Sequence, residues 1–112
     1  MSSKLAMAWL VKITARAERD FSNLFEEISA AESATERRWY SGLRRAVLSL
    51  EKLPHRCPVT RKRGQVRQLL YGHKPHIYLV LFRILEKQRQ VDVLHIRHGA
   101  RLRFTASDIE EP

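Results

Sequence analysis

Three apolar stretches, separated by short connections, fill much of the second half of the chain and leave few possible folds for it. They are "QVRQLLY" (65–71), "HIYLVLFRIL" (76–85) and "VDVLHIRH" (91–98). Residues with branched or aromatic side chains are frequent in them, as is typical of strands. The connections "GHKP" and "EKQRQ" are as short as hairpin loops. The sequence therefore predicts an antiparallel meander of three strands.

The first half begins with a predicted strand and an amphipathic helix. In residues 8–14, Trp9, Val11 and Ile13 recur with the two-residue period of a strand. Thr14 is expected to cap a helix whose apolar residues, at positions 21, 24, 25 and 28, form one stripe. The acidic residues of this helix are predicted on its outer, solvated face: Glu18, Asp20, Glu26 and Glu27.

A second amphipathic helix is predicted from "SATE", because Ser33 and Glu36 have the spacing of a capping box. Its apolar face repeats as far as Leu53, and Pro54 is expected to end it. The next segment, "PHRCPVTRKRG" (54–64), lacks periodicity and is rich in cations, prolines and glycine. It is interpreted as a basic loop.

These elements predict an α+β fold in the order β-α-α-β-β-β. The N-terminal strand joins a mostly antiparallel sheet, and the helical hairpin packs on one face and leaves the other partly open. With 112 residues, the chain is expected to be one domain (1–112), with a core at about 8–104 and an acidic tail at 105–112.

Charge is distributed unevenly. The formal net charge is +9. Residues 1–53 carry nine Lys/Arg against seven Asp/Glu, whereas residues 54–107 carry twelve against two. This balance favours a polyanionic partner: nucleic acid, an anionic membrane surface or an acidic protein. No stretch has the length of a membrane span, and the single cysteine, Cys57, fits a reducing cytoplasm.

Arginines occupy strand positions where apolar residues would stabilise more. Arg67, Arg83 and Arg97 are predicted either to line an anion-binding concavity or to include one cation held in an internal ion pair. Four further cations are expected around them: Lys62, Arg63, Arg101 and Arg103. Arg83 also has a purely structural interpretation, in which backbone carbonyls or Glu86 hold it.

Histidines in the pattern H-x-x-H suggest a metal site, which the strand geometry argues against. His95 and His98 are three residues apart on a predicted strand, so their side chains point to opposite faces. We therefore predict no metal and no other cofactor.

The order of elements, with Tyr78, Val80, Phe82, Arg83 and Ile84 in "YLVLFRI" and the ending "VLHIRHGAR", resembles the RelE/ParE superfamily of bacterial toxins from type II toxin–antitoxin modules. The resemblance spans roughly residues 8–104. It implies a cytoplasmic protein that arrests growth and is neutralised by a cognate antitoxin through an acidic or partly disordered segment.

Two mechanisms occur within that resemblance, and the sequence leaves both open. RelE-like members cut mRNA on the ribosome, which implies that Arg67 and Arg83 hold the scissile phosphate, with Lys62 and Arg63 as supporting charge. The chain lacks the tyrosine or histidine that many such nucleases place after the last strand, so His95 or His98 would take the acid–base role.

ParE-like members are associated instead with poisoning DNA gyrase, and the ending "HGAR" looks closer to them. An alternative class of function is a non-toxic, basic nucleic-acid-binding or adaptor domain, which needs no neutralising partner.

Overall fold

Residues 8–73 and 76–99 are described by a computed structural model. This part of the chain contains five strands: β1 (Leu10–Ile13), β2 (Val59–Arg61), β3 (Val66–His73), β4 (His76–Leu85) and β5 (Gln90–His98). Two α-helices, α1 (Ala15–Glu27) and α2 (Ala34–Leu48), lie between β1 and β2. None of the helices among these residues has the length and apolar composition needed to cross a membrane.

The strands form one sheet in the order β1-β5-β4-β3-β2. β1 pairs in parallel with β5, and the other neighbours pair antiparallel. Both helices pack on one face of this sheet, where Phe21 of α1, Leu43 and Val47 of α2, and Phe82 of β4 are fully buried in one cluster. We call this side the helix face. The predicted α+β fold is confirmed.

Both predicted helix caps are present. Thr14 Oγ1 accepts a hydrogen bond from the Ala17 amide at 3.3 Å and donates one to the Val93 carbonyl oxygen at 2.8 Å, which ties the start of α1 to β5. Ser33 Oγ accepts from the Glu36 amide at 3.3 Å at the start of α2. Each cap satisfies an amide that the first helical turn leaves without an intrahelical partner.

The prediction that the second helix runs to Pro54 was wrong. The helix ends at Leu48, and two 3₁₀ turns, Ser49–Glu51 and Pro54–Arg56, follow it. Leu53 takes a left-handed conformation (φ 48°) and is 75% exposed, so it lies off the helix axis and outside the core. The proline ring disfavours the right-handed helical conformation at the preceding residue, which explains why the helical pattern does not reach Pro54.

The segment 54–64, predicted as a loop, contains the short edge strand β2. Val59 pairs with Arg67 of β3, and Arg61 pairs with Val66. Residues 62–65 then form a tight turn, in which Gly64 (φ 80°) and Gln65 (φ 54°) are left-handed and the Gln65 amide donates to the Lys62 carbonyl oxygen at 3.1 Å. A three-residue strand is too short for its two-residue period to stand out in a sequence.

A β-bulge interrupts the pairing of β4 and β5. Leu81 lies opposite His95, but its neighbour Phe82 lies opposite Val93, so Leu94 is an extra residue in β5. Such a bulge breaks the ladder of backbone hydrogen bonds and leaves amide groups in need of another partner.

The sheet face opposite the helices is less open than predicted. Leu79 and Leu81 belong to this face, yet they are only 4% and 2% exposed. Gly99, just beyond β5, donates from its amide to the Ile77 carbonyl oxygen at 2.7 Å and lies against the Leu79 side chain. The backbone following the last strand therefore covers part of this face.

Candidate functional site

Arg67 lies on the helix face of the sheet, and backbone carbonyls hold its guanidinium. It pairs with Phe82 across β3 and β4, and opposite residues of an antiparallel pair share a face. Its Nη1 donates to the carbonyl oxygens of Cys57, at 2.6 Å, and His55, at 3.2 Å. The half-buried side chain therefore ties the second 3₁₀ turn, Pro54–Arg56, to the sheet.

Arg83 lies on the opposite face and is exposed. It follows Phe82 in β4, so alternation turns it away from the helices, and it pairs with Asp92 of β5. Its Nε donates to the carbonyl oxygen of Gly64, at 3.0 Å. Because Gly64 belongs to the turn 62–65, this hydrogen bond holds the exposed residues Lys62 and Arg63 in a turn beside the guanidinium. We call Lys62, Arg63 and Arg83 the basic cluster.

His95 is paired with a carboxylate of α1. His95 Nδ1 and Asp20 Oδ2 are 2.7 Å apart, and the same oxygen accepts a hydrogen bond from the Ile96 amide at 2.9 Å. The His95 and Asp20 side chains are 13% and 19% exposed. Asp20 thus accepts a hydrogen bond from a backbone amide beside the Leu94 bulge, where the ladder between β4 and β5 is interrupted. The same carboxylate oxygen holds the His95 imidazole in place.

His98 ends β5 beside a group of aromatic rings. Its ring lies 4.8 Å from that of Tyr78, which in turn lies 5.3 Å from that of Trp39. Burial, and secondly the charge of Glu27, raise the pKa of Tyr78 above its ordinary value. The phenol therefore stays protonated near neutral pH, as a hydrogen-bond donor and not as a base.

The predicted site residues do not converge. Arg67 and Arg83 lie on opposite faces, and His95 is held against α1, so the prediction that Arg67 joins Arg83 and Arg97 on one surface was wrong. Arg67 pairs with Phe82, the residue before Arg83, and successive residues of a strand point to opposite faces. Arg67 and Arg83 therefore lie on opposite faces. Arg97 pairs with Leu79 and so shares the face of Arg83. Arg101 and Arg103 lie outside the described residues.

Among the described residues, no group of three or more His, Cys, Asp or Glu side chains is arranged to hold a metal ion. Cys57 is buried, and that burial raises the pKa of its thiol although Arg56 and Arg67 lower it. A thiol of this kind is a poor nucleophile at neutral pH. The chemistry of the site therefore rests on cations, imidazoles and phenols.

Comparison with known protein families decides the relationship of the chain. The family model described as "ParE toxin of type II toxin-antitoxin system, parDE" matches residues 11–103. The chain belongs to the ParE toxin family. It is accordingly a toxin of a type II toxin–antitoxin system. No curated protein sequence matches the chain significantly.

Solved structures of toxin–antitoxin proteins share the fold of this ParE-family toxin. A chain of the chromosomal ParDE system from P. aeruginosa superposes with a TM-score of 0.66 at 15% identity, over 82% of this chain and 97% of that chain. A chain of the RelBE2 complex from Mycobacterium tuberculosis gives 0.57 at 20% identity, over 85% and 95%. A mutant of E. coli RelE in the free state gives 0.57 at 15% identity, over 83% and 85%. At these identities the likeness shows the fold alone.

One acidic residue of this ParE-family toxin, Asp20, lies elsewhere than its sequence predicts. Asp20 was predicted on the solvated outer face of the first helix, but it contacts β5. Glu27 is exposed, as predicted, and lines a groove beside Tyr78. Helical periodicity places a residue relative to its own helix only. No signal in the sequence indicates that a β-bulge would turn an amide toward Asp20.

Proposed function

We propose that this ParE-family toxin arrests growth by binding and poisoning DNA gyrase, without cutting RNA. The observation that carries the proposal is the separation of Arg67 from Arg83 by the thickness of the sheet. A nuclease of the RelE type, as envisaged from the sequence, needs both guanidinium groups on one phosphate. Arg67 instead donates to the carbonyl oxygens of Cys57 and His55.

The candidate acid–base groups give further support. Cleavage through a 2′-OH requires a base and an acid on either side of the phosphate that Arg83 would hold. His95 is held by Asp20 of α1, and His98 packs on Tyr78 at the end of β5. Neither histidine has a described contact with the basic cluster. This arrangement suits a binding surface better than a site for RNA cleavage.

The basic cluster is the surface that we propose for the target. Lys62 and Arg63 are exposed in a turn that Arg83 holds through Gly64, so three cations lie together at low conformational cost. Among described residues, the two terminal guanidinium nitrogens of Arg83 have no hydrogen-bond partner. An acidic surface of gyrase or the phosphates of its bound DNA fit this arrangement. Gyrase acts in the cytoplasm, which is therefore where the toxin is proposed to act.

The partner proposed for this toxin is a cognate antitoxin, which binds it and prevents growth arrest. The family description names a toxin–antitoxin system, and the M. tuberculosis relative was solved as a toxin–antitoxin complex. The net charge of +9 favours an acidic segment in that antitoxin over the basic cluster.

Two assays on the purified toxin test the mechanism. In the first, gyrase and relaxed plasmid are incubated with the toxin, and supercoiling and cleaved DNA are measured on gels. In the second, the toxin is added to cell-free translation and mRNA 5′ ends are mapped. We expect loss of supercoiling with intact message. Codon-phased cuts in translated message with unaffected supercoiling would overturn the proposal, and activity in neither assay would favour the non-toxic adaptor.

A further inference from the structure

A groove with acidic and aromatic walls lies between the helical hairpin and the sheet, away from the basic cluster. It encloses about 330 Å³. We call it the acidic groove, and its lining residues are Glu27, Ile28, Glu36, Trp39, His76 and Tyr78. The residues come from the end of α1, from the first turns of α2 and from the start of β4. This is a concave site that neither the gyrase proposal nor the nuclease alternative uses.

The aromatic walls of the acidic groove are fixed in place. The rings of Trp39 and Tyr78 are 5.3 Å apart at 64°, and Trp39 also packs against Tyr71 at 5.2 Å. The Tyr71 hydroxyl donates to the Trp39 carbonyl oxygen at 3.2 Å. These contacts set the indole before any ligand arrives, so little side-chain entropy is lost on binding.

The electrostatics of the groove favour a cation. Glu27 is the last residue of α1, where the helix dipole already contributes negative partial charge, and the last turn of α1 holds no basic residue. Among the described residues, neither Glu27 nor Glu36 forms a salt bridge. Glu27 lies near enough to Tyr78 for its charge to contribute to the raised pKa of the phenol. Two carboxylates and the C-terminus of α1 thus line one cavity with His76, and Glu36 offsets the partial positive charge at the N-terminal turn of α2.

We propose that the acidic groove binds an arginine or lysine side chain of the antitoxin. The inference extends the proposed toxin–antitoxin function and rests on it. Aromatic faces and carboxylates attract a guanidinium or ammonium group together, and the apolar stem of the side chain can lie along Ile28 and Trp39. The antitoxin would then carry two kinds of charge: acidic residues for the basic cluster and one cation for the acidic groove. A wrong partner with acidic residues alone would lack the second contact.

A peptide titration tests the chemistry of the groove. The full-length toxin is titrated with acetyl-Ala-Arg-Ala-amide, and the Trp39 indole signal is followed by NMR, with Trp9 as an internal reference because it packs elsewhere, against His55. The matched probe carries citrulline, which has the shape of arginine without its charge. We expect the arginine peptide to shift the Trp39 signal selectively and the citrulline peptide to leave it unchanged. Equal shifts with both peptides, or none, would overturn the proposal.

Variants that remove a negative charge distinguish a local effect of the acidic groove from an effect of the overall surface charge. Glu27→Gln with Glu36→Gln is expected to weaken arginine-peptide binding by about fivefold to tenfold. The Glu36→Gln change keeps the backbone amide that donates to Ser33 Oγ at the start of α2. Glu26→Gln is the matched control, because it removes the same charge from the same helix end outside the groove lining. An equal loss in the control would show that only the overall field matters and would contradict the proposal.

A growth assay tests the identity of the occupant. Cells express the toxin together with increasing amounts of the antitoxin that rescues the wild-type chain. The double variant should still arrest growth alone, and it should need at least about fivefold more antitoxin for rescue than Glu26→Gln. Unchanged rescue would overturn the assignment to the antitoxin. If the wild-type chain does not arrest growth, the proposed function fails while the peptide titration still reports on the groove.

The C-terminal arginines offer a competing occupant from the same chain. They follow His98, which lines a cavity next to the acidic groove. If Arg101→Gln together with Arg103→Gln shifts the Trp39 signal with no peptide present, the chain's own residues occupy the groove and the antitoxin proposal is overturned. An unchanged signal supports the antitoxin.

Discussion

Arg67 and Arg83 lie on neighbouring strands of one sheet, and the two faces of that sheet use them differently. On the helix face, the Arg67 guanidinium donates to two backbone carbonyls and connects the segment after α2 to β3. On the opposite face, Arg83 makes one described hydrogen bond, to Gly64, and remains exposed beside Lys62 and Arg63. A strand arginine therefore acquires its role from the face on which it lies and from the backbone carbonyls within its reach. Its position in a sequence motif does not determine this role.

The largest expected effect is the loss of folding stability when Arg67 is truncated, compared with the loss when Arg83 is truncated. Arg67→Ala should lower the free energy of unfolding by about 3 kcal/mol, because the part-buried carbonyl oxygen of Cys57 and the exposed carbonyl oxygen of His55 lose a charged donor. Urea titration measures this change. The control is Arg83→Ala, which should cost less than about 1 kcal/mol because its one hydrogen bond is exposed. Equal losses in the two variants would break the distinction between the faces.

The next effect concerns the contact of α1 with the bulge. Asp20→Ala should lower stability by about 2 kcal/mol, because the Ile96 amide and the His95 ring lose one shared acceptor. A double-mutant cycle with His95→Ala is expected to give a coupling energy of about 1 kcal/mol at pH 7. Additive losses would show that Asp20 acts through the Ile96 amide alone.

The smallest effect tests how closely α2 approaches the helix face. A Cβ atom at Gly42 would overlap the Tyr71 hydroxyl and disturb its hydrogen bond to Trp39. Overpacking costs about 1–3 kcal/mol, whereas alanine gains about 1 kcal/mol in helix propensity, so Gly42→Ala should destabilise by about 1 kcal/mol. Ser41→Ala, at the exposed neighbouring position, should not destabilise. Thermal unfolding of both variants checks the sign, and a stabilised Gly42→Ala variant would contradict the close approach.

Much of the fold could be predicted because local patterns determine it. The alternation in 76–85 predicted β4 with its observed bounds. Thr14 and Ser33 marked the helix starts because their hydroxyl groups accept hydrogen bonds from amides three residues later. The ends of elements were harder to predict. The second helix stops before its apolar pattern does, because the chain must turn at Leu53 to begin the 3₁₀ segment at Pro54.

The candidate site was less predictable because it depends on pairing between distant segments. Alternation shows which residues of one strand share a side, but the relation between Arg67 and Arg83 depends on the register of β3 against β4. A shift of one residue would have placed them together. The bulge at Leu94, and with it the role of Asp20, likewise arises from strand pairing and helix docking, which no short motif records.

Growth arrest, measured together with folding stability, separates the two roles, in which Arg83 acts in function and Arg67 in folding. Arg83→Ala and Arg67→Lys are expressed in cells, the growth rate is recorded, and the soluble proteins are unfolded in urea. We expect Arg83→Ala to abolish growth arrest with near-wild-type stability, and Arg67→Lys to arrest growth but to be less stable. Arg83→Ala that remains toxic, or Arg67→Lys that is fully stable and inactive, would contradict this division of roles.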